Sequence, residues 1–451
     1  MKTPAYRHYL LGILLVVLAS NSAERVALSL VLQDIKAEFA LSDTQLGLLT
    51  GIAFALFYAI MGIPLARWAD RGNRIAIISL TTTMWSAAMI LYSLVGSFIQ
   101  LLVVRVAAAV GEAGCIPTAH SLIADHFSRA ERPRAVAIYM LGTSLSVLIG
   151  FFVAGWLNEL LGWRLMFVLL GLPGIALAVL VHLTLRDKRQ SAAGPVASSG
   201  ASSEPGVGRT AQPPLGQVLR ILWASTTFRH LGLCYCVLVL LASGVGQWQP
   251  TFFIRSYGLQ TGELGTWFSV IWGVSTTLGL LGGGELASRF AANNERLQLN
   301  MMSGAYLVFG VASAFIYLAP DQYWAFGFVA VGIAGASLAT APLFAIIQTL
   351  MPEQIRATSL AALFLFSNLI GMGLGPLVIG ALSDALHPVF GVDALRYALL
   401  AGCPAYGWAA LHLWLAGRHV VDDLTSAHGD SGEPPRAPSD TRHDVALPGT
   451  N

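Results

Sequence analysis

Residues 100–122 read QLLVVRVAAAVGEAGCIPTAHSL, a run long and apolar enough for one membrane crossing, since a spanning helix needs about 20 such residues. Two charges interrupt this run, Arg105 and Glu112. Their spacing of seven residues places both on one helix face, about 10 Å apart along the axis, so each needs a partner from another helix. Because a charge at the bilayer centre costs about 2.5–3.5 kcal/mol, we predict a functional site here, with a buried structural ion pair as the alternative.

The whole chain has the composition of a membrane protein. Hydrophobic residues make up 55% of its 451 residues and charged residues only 11%, whereas soluble domains carry about 25% charged residues. The hydropathy pattern predicts an all-α polytopic membrane protein with twelve transmembrane helices in two six-helix bundles. Parallel repeats of six helices are typical of one large class of transporters, with the substrate site between the halves.

Several classes of function are excluded by what the sequence lacks. It contains no Walker loop, no glycine-rich nucleotide fingerprint and no metal-ligand cluster. We therefore expect neither an ATP-driven pump nor an enzyme, and no cofactor, metal site or nucleic-acid partner. The four cysteines lie in apolar runs and are expected to be small buried hydrophobic residues.

Two polar segments divide the chain. Residues 186–217 are dense in Ser, Gly, Ala and Pro and hold few large apolar residues, so they are predicted to form a flexible cytoplasmic linker. This linker separates an N-terminal six-helix bundle at residues 1–185 from a C-terminal one at residues 218–418. Residues 419–451 are polar and rich in proline, which predicts a disordered cytoplasmic tail.

The distribution of lysine and arginine predicts the orientation. These residues are concentrated in the loops on one side of the predicted membrane, which by the positive-inside rule is the cytoplasm. Both termini are therefore predicted to be cytoplasmic, in a multi-pass protein of the inner membrane. In that orientation Glu24 and Arg105 lie in the outer half of the membrane and Glu112 near its centre, so one polar cluster is geometrically possible.

Several stretches resemble a known family of transporters. The loop Asp70-Arg71-Gly72-Asn73-Arg74 and the run from Arg105 to Gly111-Glu112-Ala113 resemble motifs of the major facilitator superfamily. Within it, three stretches resemble the Spinster group: Glu24-Arg25, Arg105 with Gly111-Glu112-Ala113, and Trp248 to Arg255. The stretch from Asn368 to Pro376 fits this group as well. The resemblance covers about residues 8–418 and implies export of a lysolipid or sphingosine phosphate, with proton coupling. The group often has Asp where this chain has Glu24.

The predicted site residues have three roles. Proton coupling is assigned to Glu112, with Glu24 as the alternative carrier. Substrate binding is assigned to an anion-binding Arg105, to polar residues near it and to aromatic residues for an apolar tail. The predicted substrate-binding residues are Arg105, Asn21, Arg25, Trp248, Trp272, Phe344, Phe364 and Asn368. For the aromatic residues, core or lipid-facing packing is the alternative, and for Arg25 it is snorkelling to the interface.

The predicted gating residues are Asp70, Arg71, Arg74 and Arg134. The carboxylate of Asp70 is expected to act as a latch, either by accepting hydrogen bonds at the start of the eleventh helix or by pairing with Arg134. An ordinary solvated loop is the alternative.

Three functions remain open at this stage. The leading hypothesis is a secondary active transporter that moves an amphipathic lysolipid by alternating access, coupled to protons. The second is a proton-coupled carrier of a small organic anion or drug. A receptor that does not transport, or a lipid scramblase, is the third. The expected partners are the lipid or anionic amphipathic substrate, protons and the bilayer, and the chain is expected to act as a monomer.

Overall fold

The structure is a computed structural model, and it describes residues 4–128, 131–187, 215–291, 294–352 and 355–429. The central part of the predicted linker, residues 188–214, and residues 430–451 of the predicted tail lie outside these ranges. The described residues are almost entirely helical.

Within these ranges twelve membrane helices, labelled α1 to α12, follow one another. Several are broken into segments. Their bounds are α1 Pro4–Phe39, α2 Asp43–Thr50 and Ile52–Arg71, α3 Arg74–Tyr92, α4 Phe98–Ala113 and Cys115–His126, α5 and α6 together Arg132–Thr184, α7 Thr226–Tyr257, α8 Thr261–Phe290, α9 Glu295–Leu318, α10 Gln322–Leu338 and Thr340–Leu350, α11 Arg356–Ser367, Asn368–Met372 and Gly373–Phe390, and α12 Ala394–Gly402 and Pro404–Gly429.

Hydropathy and length account for the twelve crossings. Ten described stretches are long and apolar enough to span a membrane, and two of them, of 51 and 68 residues, each hold two crossings. A helix of 51 residues would be about 77 Å long, more than twice the roughly 30 Å of a bilayer core. The first of these stretches turns at Gly162, which has a φ of 79°, a value that glycine adopts readily. This turn divides α5 from α6. The predicted all-α fold is therefore confirmed.

The two halves, α1–α6 and α7–α12, meet along α2 against α11 and α5 against α8. Both contacts depend on glycine. A Cβ atom on Gly51 of α2 would lie 2.3 Å from the carbonyl oxygen of Gly373, and one on Gly155 of α5 would lie 2.4 Å from that of Thr261. The backbones of the two halves therefore approach more closely than any larger residue permits.

The structure differs from the predicted domain boundaries at both polar segments. Asp187, inside the predicted linker, is buried and accepts hydrogen bonds from Arg74, and the short helix Leu215–Ala224, here named the linker helix, begins before the predicted linker ends. At the other end, α12 continues to Gly429, so residues 419–429 are helical and the predicted disordered tail is wrong there.

A capping interaction explains why α12 continues. Asp423 accepts hydrogen bonds from the hydroxyl of Ser225 and the backbone N–H of Thr227, both at 2.8 Å, and so satisfies the free N-terminus of α7. One turn earlier, Val420 is fully buried in the C-terminal half. The polar composition of this segment predicted disorder, because it does not show that Asp423 caps a different helix.

Replacement of Asp423 by alanine should therefore destabilise the C-terminal half, because helix caps contribute about 0.5–2 kcal/mol. The thermal unfolding midpoint of the purified protein in detergent should fall. Glu285→Ala is the matched control, since Glu285 pairs with Arg289 in an exposed position where ion pairs contribute little. An equal midpoint for Asp423→Ala and the control would contradict the capping role.

Candidate functional site

Four charged side chains from α1 and α4 form two ion pairs inside the N-terminal half. Arg105 donates from Nη1 to both carboxylate oxygens of Glu24, at 2.5 and 2.6 Å, and Arg25 donates to Glu112. Glu24, Arg105 and Glu112 are at most 1% exposed. These four residues, named here the charge cluster, carry two positive and two negative charges, so burial leaves no net charge uncompensated.

The structure supplies the partners that the sequence required for Arg105 and Glu112, and both come from α1. Glu24 and Arg25 are adjacent on α1, so their side chains point about 100° apart and the two ion pairs differ in exposure. Glu24 lies wholly inside the bundle, whereas the side chain of Arg25 is 32% exposed and that of its partner Glu112 is not exposed at all. Arg25 is therefore the accessible cation of the cluster.

An aromatic ring from α2 completes the cluster. The guanidinium carbon of Arg105 lies 4.3 Å from the centre of the Phe54 ring, and that of Arg25 lies 5.5 Å from it. Both distances are within the range of a cation–π interaction. Sequence analysis missed Phe54, and the only signal available was that α2 is rich in phenylalanine.

Some buried polar atoms of this region have no hydrogen-bond partner within the described part of the chain. They are Nε of Arg105, Oε1 of Glu112 and Nδ2 of Asn21, one turn before Glu24 on α1. A buried polar atom without a partner costs about 1–3 kcal/mol. These atoms lie beside the two ion pairs, where a proton or a polar ligand group would find hydrogen-bonding partners.

A cavity of about 210 Å³ between the two halves borders the charge cluster. Its wall in the N-terminal half is partly polar, and its wall in the C-terminal half is mostly apolar. The lining residues are Arg25, Val26, Ser29, Thr50, Phe54, Arg105, Val147 and Phe151 from the N-terminal half, and Ala242, Ser243, Gly246, Gln247, Trp272, Met372 and Pro376 from the C-terminal half.

A second cavity, of about 150 Å³, lies inside the C-terminal half next to the first. Ala242, Gly246 and Trp272 line both cavities, so the indole of Trp272 stands between them. Apolar side chains such as Ile316, Val329 and Ile333 dominate its wall. The charge cluster, the first cavity and the second cavity thus form a path from charged to apolar surroundings.

The family model described as "Major Facilitator Superfamily" matches residues 13–376 of this chain. The chain belongs to the major facilitator superfamily. An "MFS-type efflux pump" of Mycolicibacterium smegmatis is 32% identical over 416 residues, which cover 92% of this chain and 93% of that protein. "Protein spinster homolog 1" of Xenopus tropicalis is 25% identical over 431 residues, with 88% of this chain and 78% of that protein covered.

The solved structures include a bacterial homologue of the human lysosomal transporter Spinster, in an inward-facing, unoccupied conformation. It matches this transporter with a TM-score of 0.80 and 28% identity, over 94% of this chain and 99% of that one. The resemblance to the Spinster group inferred from Glu24-Arg25 and the helix motifs is therefore confirmed.

The predicted aromatic site residues of this transporter lie in different places. Trp272 lines both cavities. Trp248 is fully buried and donates from its indole nitrogen to the carbonyl of Pro376 at 2.8 Å, so it fixes α7 against α11. Phe344 and Phe364 pack on each other, with ring centres 5.4 Å apart, and belong to the wall of neither cavity.

Two predicted polar site residues are also outside both cavity walls. Asn21 is buried in α1, and Asn368 is exposed at the start of the π-helical turn of α11. That turn is held by Ser243 of α7, whose hydroxyl donates to the carbonyl of Gly371 at 2.7 Å. Helical turns of this kind are frequent at functional sites.

The structure describes the side chains of two of the four predicted gating residues, Arg74 and Arg134. The guanidinium of Arg74 is fully buried and pairs with Asp187 and Asp125, at 2.5 and 2.7 Å, both in its own half. Arg74 therefore ties the start of α3 to α4 and to the segment after α6, instead of contacting the other half. Arg134 is exposed, and the side chains of Asp70 and Arg71 lie outside the described structure. Their gating role stays a prediction.

Polar contacts join the two halves at the end of the molecule that holds the α1–α2 and α7–α8 connections. We name this end the sealed end. Asp43 of α2 is 2% exposed and accepts hydrogen bonds from Lys36, Arg255 and Ser383, at 2.6 to 2.8 Å. Arg255 also donates to the side chain of Gln33 at 2.7 Å. Nothing local in the sequence shows that Lys36 and Arg255 share Asp43 as a partner.

Each half also caps a helix of the other at the sealed end. Asp384 of α11 accepts hydrogen bonds from the backbone N–H groups of Asp43 and Thr44, at 3.0 and 2.7 Å, and so caps α2. Glu159 of α5 accepts from the backbone N–H of Gly262 at 2.8 Å at the start of α8. A carboxylate at a helix N-terminus is favoured by the helix dipole. The two caps hold α2 to α11 and α5 to α8.

Replacement of Asp43 by asparagine should weaken the contact between the halves at the sealed end, because it leaves Arg255 and Lys36 without their anionic partner. Loss of one partner of a buried ion pair costs up to about 3–5 kcal/mol of stability. The test places a reporter cysteine at Gly246, which lines both cavities and has open space around it, in a background without the native cysteines. Membrane-impermeant maleimide added on the side of the sealed end should label Asp43→Asn faster.

Glu263→Gln provides the matched control, since Glu263 is an exposed carboxylate in the first turn of α8 at the same end. Its labelling rate should equal that of the parent. Equal rates for Asp43→Asn and the parent would show that Asp43 does not hold the sealed end.

Proposed function

We propose that this transporter moves an amphipathic lysolipid across the bacterial inner membrane by alternating access, coupled to protons, as a monomer with both termini in the cytoplasm. The observation that carries the proposal is the pair formed by Arg25 and Glu112. Arg25 lines the cavity between the halves, and Glu112 lies fully buried behind it with one oxygen unpartnered among the described residues.

The charge cluster suggests how an anionic head group and a proton are linked. A phosphate or carboxylate that enters the cavity meets the guanidinium of Arg25 first, since Arg105 is 1% exposed and already holds Glu24. Such an anion shares or displaces the hydrogen bond from Arg25 to Glu112. A fully buried carboxylate that loses its cation is strongly disfavoured unless it is neutralised, so Glu112 takes up a proton as the anion binds.

This geometry favours Glu112 over Glu24 as the proton carrier. Neither carboxylate lines the cavity, but their partners differ: the side chain of Arg25, which holds Glu112, is 32% exposed, and that of Arg105, which holds Glu24, is 2% exposed. A ligand that binds to Arg25 therefore leaves the two short hydrogen bonds from Arg105 to Glu24 intact. Linkage is reciprocal, so a lower pH should also tighten binding of an anionic substrate.

The second cavity supports an apolar tail on the same substrate. It lies beside the first, inside the C-terminal half, and its wall is mainly apolar. A ligand with its head at Arg25 and its chain past Trp272 would occupy both cavities. The similarity to Spinster proteins over most of the chain, together with the lysolipid substrates implied by that resemblance, supports a lipid.

Two observations favour a second candidate, a proton-coupled carrier of a small organic anion or drug. The relative from Mycolicibacterium smegmatis, at 32% identity, is named an efflux pump. Pockets for drug-sized ligands typically measure about 300–1,000 Å³, and the cavity between the halves, at about 210 Å³, accommodates a compact ligand more readily than a long chain.

Transport coupling is tested in proteoliposomes with a lysophospholipid and an imposed pH gradient. Glu112→Gln mimics the protonated carboxyl group, so it should bind substrate, exchange it across the membrane and fail to accumulate it. Accumulation by Glu112→Gln that equals the parent would show that Glu112 is not the coupling site. Transport that ignores the gradient in the parent would indicate a scramblase, and binding without transport a receptor.

Glu131→Gln is the matched control for this experiment. Glu131 also pairs with an arginine of α1, Arg7, but half exposed at the surface of the molecule. Hydrogen bonds from Ser128, and then from Arg7, lower the pKa of Glu131 to about 2, so it keeps its charge throughout the assay range. Glu131→Gln should accumulate substrate as the parent does.

Chain length separates the two candidate substrates. If a tail enters the second cavity, binding should strengthen with each added methylene, by at most about 0.8 kcal/mol, until the cavity is full. Trp272→Ala should change that dependence, whereas Trp248→Phe, outside both cavities, should leave it unchanged. Affinity that does not vary with chain length would favour the small organic anion.

A further inference from the structure

The linker helix Leu215–Ala224 has an apolar surface much wider than the strip that the protein covers. Val218 and Leu222, one turn apart, are 2% and 4% exposed. They pack against Leu350, Met351 and Ile355, where α10 ends and α11 begins. This contact fixes the helix to the C-terminal half along one narrow strip.

A second apolar strip lies beside the first and is not covered. At about 100° per residue, Leu219 and Trp223 lie about 100° further around the helix than Val218 and Leu222. Leu219 is 40% exposed, and Trp223, at 74%, is the most exposed tryptophan within the described ranges. Gln217 and Arg220 lie on the remaining, polar side.

Chain connectivity places this uncovered strip at the membrane surface. Only Ser225, the N-cap of α7, separates the linker helix from that membrane helix. The 32 residues of α7 measure about 48 Å, slightly more than the roughly 40–45 Å of a bilayer with its head groups. The start of α7, and the linker helix with it, therefore lies at the level of the lipid head groups.

We propose that the linker helix is a membrane-surface anchor, with Leu219 and Trp223 inserted between phospholipid head groups and acyl chains. Tryptophan is favoured at this boundary because its ring is apolar and its N–H is polar. Helices with one apolar and one polar side lie in the plane of the interface. Arg220 and Arg229, both exposed, fit the charge of anionic head groups.

The anchor would hold a defined part of the C-terminal half at the membrane surface. Its covered strip contacts the turn between α10 and α11, and α11 begins within that contact. Anchoring of the linker helix does not depend on which substrate the protein moves, so it can be tested independently of the proposed function.

The test uses the full chain in liposomes whose phospholipids are brominated either near the glycerol end or near the methyl end of the acyl chains. Subtraction of the emission of Trp223→Phe from that of the parent isolates the signal of Trp223. That signal should be blue-shifted and quenched more strongly by bromine near the glycerol end, and quenching should increase with the fraction of anionic phospholipid.

A pair of charge-introducing variants provides the matched control. Leu219→Glu should reduce the quenching of Trp223 by brominated lipid, whereas Gln217→Glu, which adds the same charge on the polar side, should not. Trp223 emission that is red-shifted and quenched by aqueous iodide would overturn the proposal, since the residue would then lie in water. Blue-shifted emission quenched by neither agent would also overturn it, because protein would then cover the strip.

Discussion

The structure depends on one constraint, the need of each charge buried in the membrane for a partner. Arg105 and Glu112 lie on one face of α4, and their partners Glu24 and Arg25 are neighbours on α1. Removal of any one of the four would leave its partner as an unpaired charge within the membrane-spanning part of the protein. The cluster therefore ties α1 to α4, sets the position of Phe54 on α2, and forms the polar wall of the cavity between the halves.

The sealed end uses charge in a different way. There, Asp384 and Glu159 cap helices of the opposite half, and Arg255 meets Asp43 across the same boundary. These groups lie at helix ends, where water can replace the contacts once the halves separate. Three of the four cluster residues, Glu24, Arg105 and Glu112, are at most 1% exposed, so water cannot replace their contacts in the same way. The contacts between the halves thus lie at the ends of helices, whereas the charge cluster lies within one half.

The sequence predicts the fold well because hydropathy acts on whole segments. Twelve crossings, two halves and the demand of Arg105 and Glu112 for partners all follow from segment length and the cost of buried charge. Which partner serves which charge depends on side-chain reach, and that could not be read from the spacing of Glu24 and Arg25. The continuation of α12 was missed because the role of Asp423 is a contact with α7, far away in sequence.

Aromatic and gating residues show where pattern alone is insufficient. Trp248, Trp272 and Phe344 all lie in apolar helices, and only packing separates the residue that borders the cavities from those that do not. Arg74 is part of a family motif, but its contacts lie within its own half. The inter-half contact of Asp43 with Arg255 joins residues that are far apart in the sequence and carry no joint signal.

The central claim is that an anion at Arg25 displaces Glu112 and so brings a proton with it. Calorimetric titration of the purified transporter with a lysophospholipid, in buffers of different ionisation enthalpy at one pH, measures the protons taken up on binding. The account predicts a binding enthalpy that varies with the buffer in the parent and in Glu131→Gln, and does not vary in Glu112→Gln. Proton uptake that is absent from the parent, or unchanged in Glu112→Gln, would contradict it.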